Sequence, residues 1–265
     1  MKIIGEKING TRSQVKKAVA ERDAAFVRTL AQRQAEAGAD WLDVNAGTSP
    51  DREPDDLVWL VQTVQEAVDV PLCLDSTHTP ALAAAIQQVR QTPLINSISG
   101  ERARLDGILP LVRQARCGVI ALAMDDQGIP VGAEERLAVI RRMLDQTRRA
   151  GIPDERVYVD PLVMAIATNT ESGRIVLDTM HAVRAEFPAV HLTSGLSNVS
   201  FGLPARTLIN QAFLTLALAA GLDSAIMDPL DRGLRAALRA AELVLGRDQH
   251  CLNYTRAYRA GRFDP

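Results

Sequence analysis

Residues 137–160, LAVIRRMLDQTRRAGIPDERVYVD, carry the fold in miniature. Leu137, Ile140 and Leu144 recur at spacings of three and four, so a helix through them presents one apolar stripe while Arg141, Arg142 and Arg148 face water. The pattern ends on Ala150-Gly151, where glycine can take the left-handed conformation that closes a helix. A short apolar run, residues 157–160, follows and reads as a strand. A helix with one apolar face covers a sheet, and the strand beside it belongs to that sheet.

The same order recurs along the chain. Strands are predicted at residues 3–8, 41–45, 72–75, 94–98, 119–124, 157–160, 191–196 and 225–228, with helical patterns between them. Ala37-Gly38 and Ala220-Gly221 close two further helices. Eight strand–helix units of about 31 residues fill about 250 residues, which is the stride of a closed parallel barrel. The chain of 265 residues is therefore read as one α/β domain, a (β/α)8 TIM barrel over residues 1–265. A doubly wound open sheet would also alternate strand and helix, but no Gly-x-Gly-x-x-Gly follows the first strand.

Composition narrows the class of partner. Hydrophobic residues make up 47% of the sequence and charged residues 23%, as in globular chains that bury a large core. The 30 basic and 32 acidic side chains leave a formal charge of −2, and no basic run is interleaved with aromatics, so nucleic acid is not an expected partner. No apolar run approaches the roughly 20 residues of a membrane helix. Met1 to Glu6 leads straight into a strand without a signal-like apolar core, so no membrane association and a cytoplasmic location are expected. Cys73, Cys117 and Cys251 are far apart and form no Cys-x-x-Cys pair; all three are expected to be small buried apolar side chains.

In a parallel barrel the active site lies at the carboxyl ends of the strands. The residues closing the apolar runs are Glu6 and Asn9, Asp43 and Asn45, Asp75 and Ser76, Asn96 and Ser97, Asp125, Asp160, Ser197 and Asn198, and Asp228. Any one of them could be a turn residue, since Asn, Asp and Ser form local hydrogen bonds. Recurrence in nearly every unit instead gathers carboxylates and amides at one mouth. His78, His181, His191 and His250 hold unrelated places in their units, which speaks against a three-ligand metal site. Asp75, Asp160 and Asp228 would suit magnesium, or an uncharged ring bearing several N–H donors. A pterin is such a ring, with an amidine-like edge that a carboxylate accepts in pairs. Composition and spacing stop at a polar mouth.

Six segments in order, Gly5-Glu6-Lys7-Ile8-Asn9-Gly10, Leu42-Asp43-Val44-Asn45, Cys73-Leu74-Asp75-Ser76, Ile95-Asn96-Ser97, Val159-Asp160-Pro161-Leu162 and Gly195-Leu196-Ser197-Asn198-Val199-Ser200, span nearly the whole chain. Together they resemble the pterin-binding methyltransferases, most closely the methyltetrahydrofolate:corrinoid methyltransferases, including the corrinoid/iron-sulfur protein methyltransferase, and also the folate domain of methionine synthase. The resemblance implies methyltetrahydrofolate, or tetrahydrofolate in reverse, as substrate. It also implies a corrinoid (cobalamin) carried by a partner protein, and a homodimer. By the same resemblance Asp75, Asn96 and Asp160 hold the pterin edge, and Asn198 lies beside the methyl-bearing nitrogen. Asp160 and Asn198 then stand closest to catalysis. Glu6, Asn9, Asp43, Asn45, Ser197, Arg206 and Asp228 complete the substrate-binding set.

Two departures bear on the partner's identity. Val163-Met164-Ala165-Ile166 stands where many relatives carry a proline, and Phe201-Gly202-Leu203-Pro204-Ala205-Arg206 resembles one branch of the family more than the acetogenic type. Dihydropteroate synthase shares the pterin barrel, but its Ser-Phe-Ser-Asp-Gly-Gly segment and its Lys with a later Arg-x-His are not found here.

A methyl group leaves a tertiary amine only when the nitrogen gains positive character, so general acid help is expected. Asn198, an amide, cannot supply the proton. It is expected to hydrogen-bond the protonated amine, the proton arriving through water and carboxylates such as Asp43 or Glu6. The Asp-x-His-x-x-Gly loop of a cobalamin-carrying domain is absent, so the corrinoid is expected on a separate protein docked over the mouth. A non-catalytic subunit that presents pterin, or a magnesium-dependent barrel enzyme, would use the same mouth.

Overall fold

A computed structural model, described over residues 1–263, contains eight parallel strands: β1 (Lys2–Asn9), β2 (Trp41–Asn45), β3 (Leu72–Asp75), β4 (Leu94–Ser99), β5 (Gly118–Leu122), β6 (Val157–Asp160), β7 (His191–Leu192) and β8 (Ser224–Met227). They pair in the order β7-β6-β5-β4-β3-β2-β1-β8. The two ends of that order meet through Asp223 N donating to Leu192 O at 3.2 Å and Ile226 N donating to Ser194 O at 2.9 Å. The sheet is thus a nearly closed barrel, the expected (β/α)8 architecture.

Helices α1 (Ser13–Glu21), α2 (Ala24–Glu36), α3 (Glu53–Ala67), α4 (Thr79–Ile86), α5 (Arg102–Ala115), α6 (Ala133–Arg149), α7 (Ser172–Glu186), α8 (Arg206–Ala219) and α9 (Arg232–Val244) ring the barrel, and α10 (Leu252–Arg259) follows. In α6 the predicted stripe of Leu137, Ile140 and Leu144 is buried, while Arg141 reaches Glu134 and Glu186 on the surface. Gly38, Gly151 and Gly221 take positive φ of 91°, 77° and 105°, as the Ala-Gly pairs led one to expect. Among the described residues no helix is long and apolar enough to cross a membrane.

Alternation along the strands creates two cores. Outward residues such as Leu42, Val44, Leu74, Val119 and Val159 pack against the helices in the larger one. Inward residues Ile4, Cys73, Leu94 and Ile120, with Trp41, Leu122, Tyr158 and Ile226, fill the barrel. Towards its amino-terminal end Tyr158 stacks on His191 with ring centroids 4.5 Å apart, and Trp41 meets Tyr158 edge-on at 6.1 Å.

Three expectations change. The strand predicted at 119–124 ends at Leu122, and Asp125 turns away to pair with Arg142 at 2.7 Å and to bridge Gly128. The strand predicted at 191–196 keeps only two residues, because the Ser- and Asn-containing segment Leu196–Ser200 winds into a 3-10 helix with local hydrogen bonds. Cys73 and Cys117 are buried, but Cys251 is exposed: it precedes α10, which packs on one side only.

Leu94→Ala would empty part of the inner core directly beneath the mouth. The expected loss is about 2–5 kcal/mol in urea unfolding, with the barrel retained.

Candidate active site

The alternation that fills the barrel also builds its mouth. Two residues beyond each inward core residue, on the same face, stands a mouth residue: Glu6 after Ile4, Asp43 after Trp41, Asp75 after Cys73, Asn96 after Leu94, Leu122 after Ile120, Asp160 after Tyr158 and Asp228 after Ile226. All but Leu122 are polar. Register keeps them adjacent, since Asp75 pairs with Asn96 across β3 and β4, and Leu122 with Asp160 across β5 and β6. The predicted mouth residues on these strands therefore share one hollow over an apolar floor.

Each side chain is partly satisfied. Asn96 Nδ2 donates to Asp43 Oδ1 at 3.2 Å, and Asn45 Nδ2 donates to Asp75 Oδ2 at 3.0 Å. Asn45 Oδ1 is buried without a partner, so at least one acceptor awaits a donor from outside the chain. Asp160 accepts Leu162 N at 2.8 Å and Gly195 N at 3.2 Å, one on each oxygen. The turn role considered for this aspartate is real, yet each carboxylate oxygen keeps a further lone pair.

The β1 and β8 side is more heavily paired. Glu6 accepts Ser197 Oγ and Arg12 Nη2, both at 3.2 Å. Asp228 accepts Lys7 Nζ at 2.5 Å and Leu230 N at 2.9 Å, while Asn9 Oδ1 accepts Thr11 N and Oγ1, so Asn9 mainly shapes its own turn. Asn198 is exposed on the 3-10 turn, and a Cβ at Gly195 would lie 2.9 Å from its Nδ2. Arg206 braces that turn by donating to Ser197 O at 2.7 Å and Ser200 Oγ at 3.0 Å. A cavity of about 210 Å³ opens here between Glu6, Arg12, Ser197, Arg206, Asn210 and Asp228.

Burial sets the electrostatics. It pushes Asp75 and Asp160 each up to about 6, against partial relief from Asn45 at Asp75 and from the Leu162 and Gly195 amides at Asp160. Asp43 rises well above the ordinary carboxylate range through burial and then the charge of Asp75. Glu6 rises through burial, with Arg12 opposing. Carboxylates deprived of water in this way are stabilised by any ligand that brings N–H donors to them. Among the described residues, no group of three His, Cys, Asp or Glu side chains is arranged to hold a metal ion.

The sequence reading missed Arg136, a buried arginine in the first turn of α6. It donates to Pro161 O at 2.8 Å, Leu162 O at 2.7 Å and Pro130 O at 3.0 Å, and its charge opposes the rise at Asp160. A signal was available, because Arg136 lies four residues before Ile140 and so on the helix's apolar stripe.

The fold and site together define a parallel barrel that presents a ring of buried acceptors at its mouth. Residues 5–228 match the pterin binding enzyme family, and the chain belongs to that family. It is 42% identical over 267 residues to the methylcorrinoid:tetrahydrofolate methyltransferase of Eubacterium limosum, covering 100% of this chain and 98% of that protein. It is 32% identical to the methionine synthase of Mycobacterium leprae across 85% of this chain, which spans only 20% of that longer protein. Dihydropteroate synthase from Xanthomonas albilineans, at 21% identity over 92% of each chain and a TM-score of 0.72, shares the fold.

Arg136→Met would strand three backbone carbonyls, one of them buried, and remove the charge facing Asp160. We expect a loss of about 2–4 kcal/mol in thermal unfolding, and a carboxyl carbon of Asp160 that titrates above about 6 by NMR. Raised carboxyl values also fix a sign. The folded protein holds protons that the unfolded chain has lost, so Asp75 and Asp160 withdraw stability as pH rises from the ordinary range near about 4 towards 6. Asp75→Asn should flatten that decline; an identical pH–stability curve would contradict the assignment.

Proposed function

We propose that this protein moves a methyl group between methyltetrahydrofolate and the cobalt of a corrinoid (cobalamin) borne by a separate partner protein, with residues 1–265 acting as one pterin-binding barrel. The observation that carries the reading is the identity of 42% extending over all of this chain and 98% of a methylcorrinoid:tetrahydrofolate methyltransferase. Membership of the pterin binding family and the acceptor-rich mouth supply the same substrate chemistry.

In this reading Asp160 and Asp75 accept the pterin's ring and exocyclic N–H groups. Asn96 keeps one N–H on Asp43 and turns its remaining donor and acceptor to the ring. Asn45 holds Asp75 in place from its side, and its own free oxygen faces the hollow. Ser197 ties Glu6 to the turn that carries Asn198, so a carboxyl group of raised proton affinity stands one residue from the methyl end of the pterin. A proton reaching the methyl-bearing nitrogen lets the C–N bond break with its electron pair kept by nitrogen, while a cobalt lone pair forms the new bond to carbon. Asn198 accepts the N–H of that amine as its charge develops, which is an interaction made in the transition state. Arg206 and Asn9 keep the surrounding loops in shape.

The partner approaches the open mouth, and the protein works as a cytoplasmic homodimer. The outer face of α8, with Leu208 67% and Leu216 55% exposed, offers apolar surface for that self-association.

Four measurements test the reading. Free cob(I)alamin mixed with the protein and methyltetrahydrofolate should convert spectrally to methylcobalamin; no conversion with either free or protein-bound corrinoid would overturn the assignment. Asn198→Ala should lower turnover by far more than it weakens folate binding. Asp160→Asn places a donor against a donor and should weaken pterin binding roughly ten- to hundredfold. In the unaltered protein, affinity should fall as pH drops through about 6, because the protonated aspartates lose accepting capacity.

A further inference from the structure

A second hollow lies away from the mouth. Between α5 and α6, on the flank near the amino-terminal end of the barrel, lies a cleft of about 1120 Å³. Its floor is apolar, with Leu105, Leu109, Pro110 and Ala150. Around it stand Arg113, Arg116, Arg149 and Arg156, against one carboxylate, Asp106. Asp106 is itself drawn to Arg102 at 3.6 Å. Among the described residues none of the four arginines has an ion-pair partner, although most arginines of α6 and α7 do.

Ordinary structural roles account for part of this cluster only. Arg113 and Arg149 sit in the last turns of their helices, where a cation complements the carbonyl end. That argument does not reach Arg156, which precedes β6 and keeps guanidinium Nη1 buried with no hydrogen-bond partner. Arg116, at the same carbonyl end of α5, is covered by that argument in its charge but not in its backbone. This residue closes α5 at φ 52°, a conformation that favours glycine. Arg22 closes α1 at φ 55°, but its guanidinium pairs with buried Asp56 at 2.6 Å and lies over Trp59. Arg116 has the same backbone and no such partner. Four like charges in one cleft repel one another, and a concave wall focuses their field on whatever anion enters.

We propose that this flank cleft is a second binding site, for a small oligoanion carrying two or more phosphate or carboxylate groups over a short apolar body. Guanidinium groups bind both anions through paired N–H donors, so the shared chemistry is a forked, multiply charged acceptor. The lining of this cleft shares no residue with the mouth.

The full-length protein would be titrated calorimetrically with pyrophosphate, with citrate and with tetraglutamate, each against sodium chloride at equal ionic strength. Saturable binding of at least one, half-complete at about 1 mM or below, is expected. Binding of pyrophosphate alone would mark a phosphorylated ligand; binding of the carboxylates alone would mark an acidic one. The exposed pair Arg113→Gln/Arg149→Gln should weaken that binding about tenfold or more, with methyl transfer in anion-free buffer unchanged. Arg156→Gln gives a second, independent variant. Binding no stronger than the salt control, or undiminished in folded variants, would overturn the proposal.

Discussion

The structure turns on one constraint: several carboxylates are held out of bulk water at the end of a dry barrel. On most strands the inward face is apolar beneath the mouth and turns polar at the rim, β5 with Leu122 being an exception. That sharp change leaves Asp43, Asp75 and Asp160 over a hydrocarbon floor, where burial is the leading cause of their raised proton affinity. The surrounding chain relieves them incompletely. Asn45 and Asn96 each give one N–H, backbone amides give two to Asp160, and Arg136 contributes charge through the loop it pins. Full internal satisfaction would make a more stable barrel and a poorer receptor.

Support for this ring comes from unlike sources on its two sides. On the β1 and β8 side Lys7 and Arg12 are half-buried or exposed cations that pair directly with Asp228 and Glu6, so those carboxylates are partly neutralised before any ligand arrives. On the β3, β4 and β6 side, among the described residues, no cation forms an ion pair with Asp75 or Asp160; amides bond them directly, while Arg104 and Arg136 act only through charge at longer range. The difference favours a ligand whose donors face the second side. A neutral ring with N–H groups meets that need without bringing a charge that would have to be desolvated.

How much of this was visible in the amino-acid sequence depends on whether the determining contact is local. Period-two runs, helix stripes and Ala-Gly stops are set by neighbours, and they located the strands and the mouth residues from Glu6 to Asp228. The shortening of β7 was less visible: Thr193 still donates to Val159 O and Gly195 still bridges Ile226, and the local bonds of the following turn end the regular ladder at Leu192. Asp125 looked like its fellows until its fate was decided by Arg142, seventeen residues away on a helix. Arg136 was masked by its charge, which invites a surface assignment unless its place on the stripe is weighed. The arginine cleft was hidden for a different reason: a net charge of −2 averages over the whole chain and is silent about clusters that three separate segments bring together.

The abbreviated seventh strand has a further consequence for the reaction proposed. Asp75, Asn96 and Asp160 stand on or at the ends of ladder-bonded strands, which fix their backbones to within the tolerance that recognition of a flat ring requires. Asn198 stands instead on a 3-10 turn tied down by Arg206 and by the Ser197–Glu6 bond, both of which are side-chain contacts at the rim. Loops carried on a rigid scaffold accommodate change that strands resist. In the proposed reaction, recognition falls to the immobile part of the mouth and the reacting nitrogen to its adjustable part. This division suits a site that must hold its substrate while a bulky partner comes and goes above it.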